Sequence, residues 1–208
     1  LVAARHGQSA SNEQRVWTGL NDVPLTDQGR LEAQIAGRFL AEFEVHAAHT
    51  SQLQRAQESL RIMLRPQLRK AVSVCIPVSI DAALNERNYG DYTGVSKDQM
   101  REELGEEGFQ QFRRSWDGLI PNGESLRDVY GRVVPYYERV ILPQLLAGQN
   151  VLVVAHGNPL RALTKKIEGI SDKGVEEVEF GTGSMRIWDL NDMGELNGLT
   201  LYANGAVH

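Results

Sequence analysis

Two histidines of this chain each follow a short apolar run and precede a glycine. His6 follows residues 1–5, Leu-Val-Ala-Ala-Arg, and His156 follows Val151–Ala155. Such runs predict buried strands that lead into loops, and ligands of open α/β sheets bind outside the carboxyl ends of the strands. If the two strands lie side by side in one parallel sheet, both imidazoles and the Arg5 guanidinium meet over a single pocket.

Further groups suited to an anionic ligand are spread along the chain. Arg55 falls in the predicted first turn of a helix, where the helix dipole favours negative charge. Glu86 lies in a polar, glycine-punctuated segment, and Arg113 and Arg114 form a pair. Two strand-end histidines with these arginines and a carboxylate fit one task, which is to hold a phosphate monoester while its phosphoryl group is transferred.

Taken singly, each of these features has a structural explanation that is more common than a functional one. A histidine after a strand often bonds to backbone, an Arg-Arg pair is typical of a solvated helix face, and a Glu-Arg dipeptide is typical of a surface ion pair. Metal binding by His6 and His156 is a further hypothesis. The sequence lacks a carboxylate or third histidine at ligand spacing, and arginines repel cations, so we predict no metal. His46 and His49 show no partner spacing and are interpreted as structural.

The composition is that of an ordinary globular protein. The chain has 208 residues, of which 41% are apolar and 24% charged, and we predict a single domain over residues 1–208. The net charge of −5 gives no general attraction to nucleic acid or acidic membranes, so we expect neither as a partner. A single cysteine, Cys75, and the lack of a membrane-length apolar run indicate a cytoplasmic protein. The chain starts at Leu1 without an initiator Met, so we expect residues to precede it.

The elements that must position these groups follow from the hydrophobic periodicity of the sequence. Strands and helices alternate, which predicts an α/β fold with a mostly parallel sheet. Predicted helices cover about residues 27–43, 51–64, 97–104, 108–116, 125–146 and 159–167, and predicted strands cover about 45–49, 72–80, 151–155, 185–190 and 195–202. Pro143 is expected to bend or end the fifth of these helices.

Two of these elements carry a more specific expectation. Leu31, Ile35, Phe39 and Phe43 recur at helical spacing, which predicts an amphipathic helix with these side chains on its apolar face. In residues 72–80 apolar side chains alternate at period two, and Pro77 lacks a backbone donor. This strand is therefore predicted to lie at an edge of the sheet.

Taken together and in order, the motifs resemble the histidine phosphatase superfamily, and specifically its cofactor-dependent phosphoglycerate mutases. Arg5-His6-Gly7 is shared by the superfamily, whereas Asn85–Gly90, Lys97 and Arg113-Arg114-Ser115 are more specific for the mutases. Further matches, which extend the resemblance over nearly the whole chain, are Gln8-Ser9 with Asn12, Thr18-Gly19, Pro24-Leu25-Thr26, Thr50–Ala56, Trp116-Asp117, Gly123–Leu126 and His156–Leu163. The chain departs from the family pattern at Asn88, where mutases usually have histidine, at Pro159 and in Phe180–Gly183.

The resemblance implies a three-layer α/β/α fold with a mostly parallel central sheet and helices on both faces. It implies interconversion of 3-phosphoglycerate and 2-phosphoglycerate, in glycolysis and gluconeogenesis, through a phosphohistidine primed by 2,3-bisphosphoglycerate and without a metal. We assign His6 as the nucleophile and Glu86 as the proton donor and acceptor. Arg5, Arg55 and His156 are assigned to the transferring phosphoryl group. Substrate-binding roles fall to Ser9, Asn12, Thr18, Gly19, Arg87, Tyr89, Lys97, Arg113, Arg114, Gly157 and Asn158.

Two other functions stay open on the same fold. A phosphatase would hydrolyse a small phosphate monoester with water as the acceptor, and the positive charge of Lys97, Arg113 and Arg114 argues against it. A non-catalytic phosphate-binding protein is the other, and the simultaneous presence of His6, Glu86 and His156 argues against it. The sequence leaves open whether the protein is a monomer or a homo-oligomer.

Overall fold

Seven strands form one mixed sheet in the computed structural model, which describes residues 1–70, 75–203 and 205–207, with backbone alone at 69 and 70. In chain order the strands are β1 Val2–Arg5, β2 Ala47–Thr50, β3 Val78–Ile80, β4 Val151–Ala155, β5 Met185–Leu190, β6 Leu196–Ala203 and β7 Ala206–Val207. Across the sheet their order is β3-β2-β4-β1-β5-β6-β7. The first four are mutually parallel, and the pairings from β1 to β7 are antiparallel. A parallel core thus carries an antiparallel extension.

Helices cover both faces of this sheet. They are α1 Ala10–Glu13, α2 Asp27–Leu40, α3 Gln54–Lys70, α4 Lys97–Arg114, α5 Leu126–Tyr136, α6 Leu142–Leu146 and α7 Gly157–Glu168. Because successive side chains of a strand point to opposite faces, Val153 of β4 packs with α5 and α7, whereas Leu152 and Val154 pack with α2 and α3. The predicted three-layer α/β fold class is therefore confirmed.

The strands that precede the two histidines are direct neighbours. In the parallel register of β1 and β4, Arg5 lies opposite Ala155, so His6 and His156 emerge together at the carboxyl edge. The backbone N–H of His6 also donates to the Ala155 carbonyl, with a nitrogen–oxygen distance of 3.1 Å. This pairing of strands creates the site described below.

The predicted apolar face of α2 was wrong at two positions. Leu31 and Ile35 are 47% and 38% exposed, whereas Phe39 packs against the core and Leu40 is fully buried. The helix lies close to α3, since a Cβ at Gly37 would lie 2.8 Å from the Met63 carbonyl oxygen. No side chain fits at this point of contact. The helix also ends at Leu40 and does not reach residue 43.

Other elements also differ in extent from their predictions. Of the strand predicted over 72–80, only Val78–Ile80 is a strand, residues 71–74 lie outside the described ranges, and the expected edge position is confirmed. The two helices predicted within 97–116 join as α4, with a kink at Gly105, whose φ is 68°. The helix predicted over 125–146 is interrupted by a π-helical turn, Tyr137–Ile141, ahead of Pro143. None of the helices in the described ranges is long and apolar enough to cross a membrane.

Two helical glycines give a matched test of packing around the first loop. A Cβ at Gly29, in the first turn of α2, would overlap the carbonyl oxygen of Gln8, whereas one at Gly131 of α5 meets no atom within 4 Å. We expect Gly29→Ala to lower the free energy of unfolding by about 1–3 kcal/mol through overpacking. Gly131→Ala should raise it by about 0.5–1 kcal/mol because the unfolded chain loses freedom. Urea denaturation measures both changes. Equal stability of the two variants would show that the contact between Gly29 and Gln8 can widen without cost.

Candidate active site

A cavity of about 240 Å³ opens at the carboxyl ends of β1 and β4. Of the residues predicted from the sequence, its wall contains Arg5, His6, Asn12, Thr18, Gly19, Arg55, Glu86, Tyr89, Lys97, Arg113, Arg114, Gly157 and Asn158. His156 lies beside His6, with ring centroids 4.8 Å apart. The wall also includes residues that the sequence analysis did not assign, namely Trp17, Arg161 and Val178–Gly181. Groups from at least five separate segments thus converge on one cavity.

His6 is held as a neutral imidazole with one defined tautomer. Its Nδ1 lies 2.6 Å from the Gly7 carbonyl oxygen, and because a carbonyl can only accept, Nδ1 carries the hydrogen. The Nε2 lone pair therefore remains available to a ligand. Burial, followed by the positive charges of Arg55 and Arg5, holds the pKa of His6 well below 6.5. The ring is a competent nucleophile at neutral pH.

His156 is fixed by a residue that the sequence analysis did not single out. Its Nε2 lies 2.7 Å from the Ser51 hydroxyl oxygen, which also accepts from the Leu53 N–H at 3.2 Å. The Ser51 hydroxyl can donate its proton to Nε2, and in that arrangement the hydrogen of the neutral His156 ring is on Nδ1. This buried Nδ1 has no partner in the part of the chain that the structure describes. Burial, then the nearby Arg55, lowers the pKa of His156 well below 6.5.

Two arginines supply positive charge next to His6. Arg55, in the first turn of α3, donates from Nη1 to the Asn21 carbonyl at 2.8 Å and from Nη2 to the Gly19 carbonyl at 3.0 Å. Burial lowers its pKa to about 10, so it remains protonated at neutral pH. Arg5 donates from Nη1 to the Phe180 carbonyl at 2.6 Å, while its buried Nε has no partner among the described residues. Both guanidinium groups are oriented before a ligand arrives.

The Glu86 carboxylate is held through one of its two oxygens. Oε1 accepts from the Asn158 backbone N–H at 3.2 Å, from Asn158 Nδ2 at 3.0 Å and from the Arg87 N–H at 2.8 Å. Within the described ranges Oε2 accepts no hydrogen bond, and Oε2 lies 3.8 Å from the position that a Cβ at Gly157 would occupy. One oxygen thus fixes the group and the other is available for proton transfer.

Arg132 anchors the loop that carries Glu86. Its Nη1 donates to the carbonyls of Ala83 and Asn85 at 2.8 and 2.9 Å, and its Nη2 donates to the Glu86 carbonyl at 3.1 Å. A bidentate pair with Glu124 holds the guanidinium itself. Sequence reasoning could not have found this role, because the contacts join residues 46 to 49 positions apart.

Three further cationic side chains, Lys97, Arg113 and Arg114, line the same cavity. Lys97 Nζ lies 5.1 Å from the centroid of the Trp17 ring, and burial followed by the charges of Arg5 and Arg113 lowers its pKa to about 8. Arg113 and Arg114 follow at the end of α4. The cavity therefore has positive charge from Arg5 and Arg55 and, as a second cationic position, from these three residues.

Two predicted substrate-binding residues lie behind the wall rather than on it. Ser9 is fully buried and caps α1, and its hydroxyl donates to Asn12 Oδ1 at 2.9 Å. Arg87 is also fully buried, donates to the Arg113 carbonyl at 3.1 Å and lies 4.6 Å from the centroid of the Tyr89 ring. The Ser9 hydroxyl is engaged within the protein, whereas Nε and Nη1 of the buried Arg87 have no hydrogen-bond partner among the described residues.

The lowered pKa of Lys97 predicts a pH dependence of anion binding. As the pH rises through about 8, Lys97 loses its proton and the cavity loses a positive charge. A phosphate ester, with its second pKa of about 6, keeps a constant charge over this range. We expect the Kd for a phosphate ester, measured by calorimetry, to rise above about pH 8 by up to about tenfold per pH unit.

Lys97→Arg is the matched control for this pH dependence, because an arginine stays charged throughout. Its Kd should be flat between about pH 7 and 9. A rise of equal steepness in this variant would assign the titration to another group.

The comparisons with known proteins agree with this geometry. A family model described as Histidine phosphatase superfamily (branch 1) matches residues 1–199. A 2,3-bisphosphoglycerate-dependent phosphoglycerate mutase of Cytophaga hutchinsonii is 41% identical over 200 residues, which are 96% of this chain and 92% of that protein. A protein of the same name from Azorhizobium caulinodans is 44% identical over 194 residues, 91% of each chain.

Solved structures share the fold. Bacillus stearothermophilus YhfR has a TM-score of 0.79 and 26% identity over all of this chain and 96% of that chain. A mycobacterial glucosyl-3-phosphoglycerate phosphatase has a TM-score of 0.74 with 23% identity over 89% of this chain and 87% of that one, a likeness of fold alone.

In the described ranges, no group of three or more His, Cys, Asp or Glu side chains could hold a metal ion. By its sequence match over nearly the whole chain, the protein belongs to branch 1 of the histidine phosphatase superfamily, in the family of the 2,3-bisphosphoglycerate-dependent phosphoglycerate mutases.

Proposed function

We propose that this protein interconverts 3-phosphoglycerate and 2-phosphoglycerate through a phosphohistidine on His6. The observation that carries the proposal is a neutral, tautomer-fixed His6 in a cavity lined by Arg5 and Arg55 and by a further group of cations, Lys97, Arg113 and Arg114. A phosphoglycerate has a phosphate and a carboxylate, and it needs one cationic position for each. The named relatives from Cytophaga hutchinsonii and Azorhizobium caulinodans support the same assignment.

The residues present fit 2,3-bisphosphoglycerate, which supplies, when bound, the phosphoryl group that primes His6. The buried Nε of Arg5, Nδ1 of His156 and Nε1 of Trp17 lack protein partners among the described residues, and each can donate to an oxygen. We assign the transferring phosphate to Arg5, Arg55 and His156. The second anionic group is assigned to Lys97, Arg113 and Arg114, which line the same cavity.

The first chemical step is an in-line displacement at phosphorus. The His6 Nε2 lone pair forms the nitrogen–phosphorus bond while the bond between phosphorus and the donor oxygen breaks. The leaving oxygen takes a proton from Glu86. Arg5 and Arg55 offset the negative charge of the transferring group, which is the main contribution a protein makes to phosphoryl transfer. His156 adds a neutral hydrogen-bond donor through Nδ1.

The second step is the same displacement in reverse, with a different oxygen. A substrate hydroxyl attacks the phosphorus, the nitrogen–phosphorus bond breaks, and His6 returns to its neutral form. The hydroxyl proton passes to Glu86, which replaces the proton that Glu86 donated in the first step. The resulting doubly phosphorylated molecule must turn round so that its other phosphate meets His6. We further propose that this cycle serves glycolysis and gluconeogenesis in the cytoplasm and needs no metal.

A phosphatase on the same fold is the second candidate, because the Glu179 carboxylate pairs with Arg113 and Arg114 and offsets part of the second cationic position. The two functions differ in their products. Incubation with 3-phosphoglycerate should give 2-phosphoglycerate, faster with added 2,3-bisphosphoglycerate, and little free phosphate. Free phosphate without 2-phosphoglycerate would favour the phosphatase, and no product of either kind would favour a non-catalytic binding protein.

A further inference from the structure

An acidic side chain of the protein occupies the second cationic position. Glu179 lies in the segment between the short 3₁₀ turn Gly174–Glu177 and β5, and it lines the same cavity as His6. Its Oε1 is 3.5 Å from Arg113 Nη2 and in closer contact with Arg114 Nη2. A carboxylate thus sits where the second anionic group of a substrate is assigned.

The backbone around Glu179 is held by hydrogen bonds, whereas its side chain is largely exposed. Arg114 Nη1 donates to the Glu176 carbonyl at 2.8 Å, and Arg5 Nη1 donates to the Phe180 carbonyl at 2.6 Å. The flanking Val178 and Phe180 are buried, but the Glu179 side chain is 60% exposed. The carboxylate can therefore leave the arginines by side-chain rotation, without displacement of the segment.

The strength of this ion pair suits exchange with a ligand. Partly exposed pairs contribute about 0.2–1 kcal/mol, so a doubly charged phosphate with two donor partners can displace the carboxylate. The competition nevertheless lowers the affinity of the arginine pair for that phosphate. Once the phosphate departs, the Glu179 carboxylate can return to the two guanidinium groups.

We propose that Glu179 is a positioning residue that competes with the second anionic group for Arg113 and Arg114. The inference rests on the proposed function and deepens it. The doubly phosphorylated molecule must leave the arginine pair in order to turn round, and Glu179 occupies the vacated arginines while it does so. The residue acts through the arginine pair and takes no part in the transfer at His6.

The first test measures binding without turnover, in the His6→Ala background. Calorimetry should give a Kd for 2,3-bisphosphoglycerate that is up to about fivefold lower in His6→Ala/Glu179→Gln than in His6→Ala, because the competitor has lost its charge. Asp192→Asn in the same background removes an equal charge in the β5–β6 turn, and its Kd should stay unchanged. If both substitutions lowered the Kd equally, net charge alone would explain the effect and the inference would be overturned.

The second test uses the otherwise wild-type enzyme. Glu179→Gln should lower the KM for 3-phosphoglycerate and also lower kcat, because tighter retention slows the turn of the doubly phosphorylated molecule. An unchanged Kd and unchanged kcat would overturn the role of Glu179 and leave the proposed function intact. Failure of both His6→Ala and wild-type protein to bind 2,3-bisphosphoglycerate would overturn the proposed function and this inference together.

Discussion

Replacement of His6 by alanine is expected to abolish phosphoenzyme formation and to lower mutase turnover by about 10⁴-fold or more, the scale seen when a catalytic nucleophile is removed. The reason is specific to Nε2, since the Gly7 carbonyl engages Nδ1 and leaves one lone pair free to attack phosphorus. Incubation with labelled 2,3-bisphosphoglycerate should give the wild-type enzyme a label that is stable in base and labile in acid. His6→Ala should remain unlabelled.

His46→Ala is a suitable control for this experiment. His46 is outside the cavity wall, and its Nδ1 accepts from the Asn150 backbone N–H at 2.9 Å. The variant should retain the label and most of the turnover. If His6→Ala were labelled as strongly as the wild type, another group would be the nucleophile, and the role assigned to Nε2 would be wrong.

The strand-end histidines show how far local sequence can predict a site. The apolar runs before His6 and His156 have the length and composition of buried strands, and both runs are strands in the structure. Their adjacency could not be derived from either run, because it depends on which strands pair across the sheet. Neither run contains the information that β1 and β4 share a parallel register.

The errors and omissions arise from contacts between distant segments. The close approach of α3 to α2 at Gly37 could not be derived from the spacing of the large apolar residues of α2 itself. Arg87 and Glu86 are adjacent in sequence, yet only Glu86 faces the cavity. Ser51 follows a buried strand at the same sheet edge as the histidines, and this position was a usable signal that the sequence analysis did not apply.

Glu86→Gln is expected to lower kcat by about 10²–10⁴-fold, the contribution typical of general acid–base catalysis. Glutamine keeps an Oε1 that can accept the same three hydrogen bonds from Asn158 and Arg87, so the side chain should keep its position. It cannot give or take the proton that each phosphoryl transfer requires. The Kd for 2,3-bisphosphoglycerate should change little, and calorimetry beside steady-state kinetics measures the two effects separately.

Each of the two phosphoryl transfers depends on a proton transfer by Glu86. Phosphorylation of His6 needs a proton delivered to the leaving oxygen, and transfer to the substrate needs a proton removed from the attacking hydroxyl. If one carboxyl serves both, Glu86→Gln should slow the formation and the discharge of the labelled enzyme together in rapid-quench measurements. A variant that slows only one of them would assign the other proton to a different group. If Glu86→Gln kept a normal kcat but bound the ligand more weakly, the role of Glu86 would be to position Asn158 and not to transfer protons.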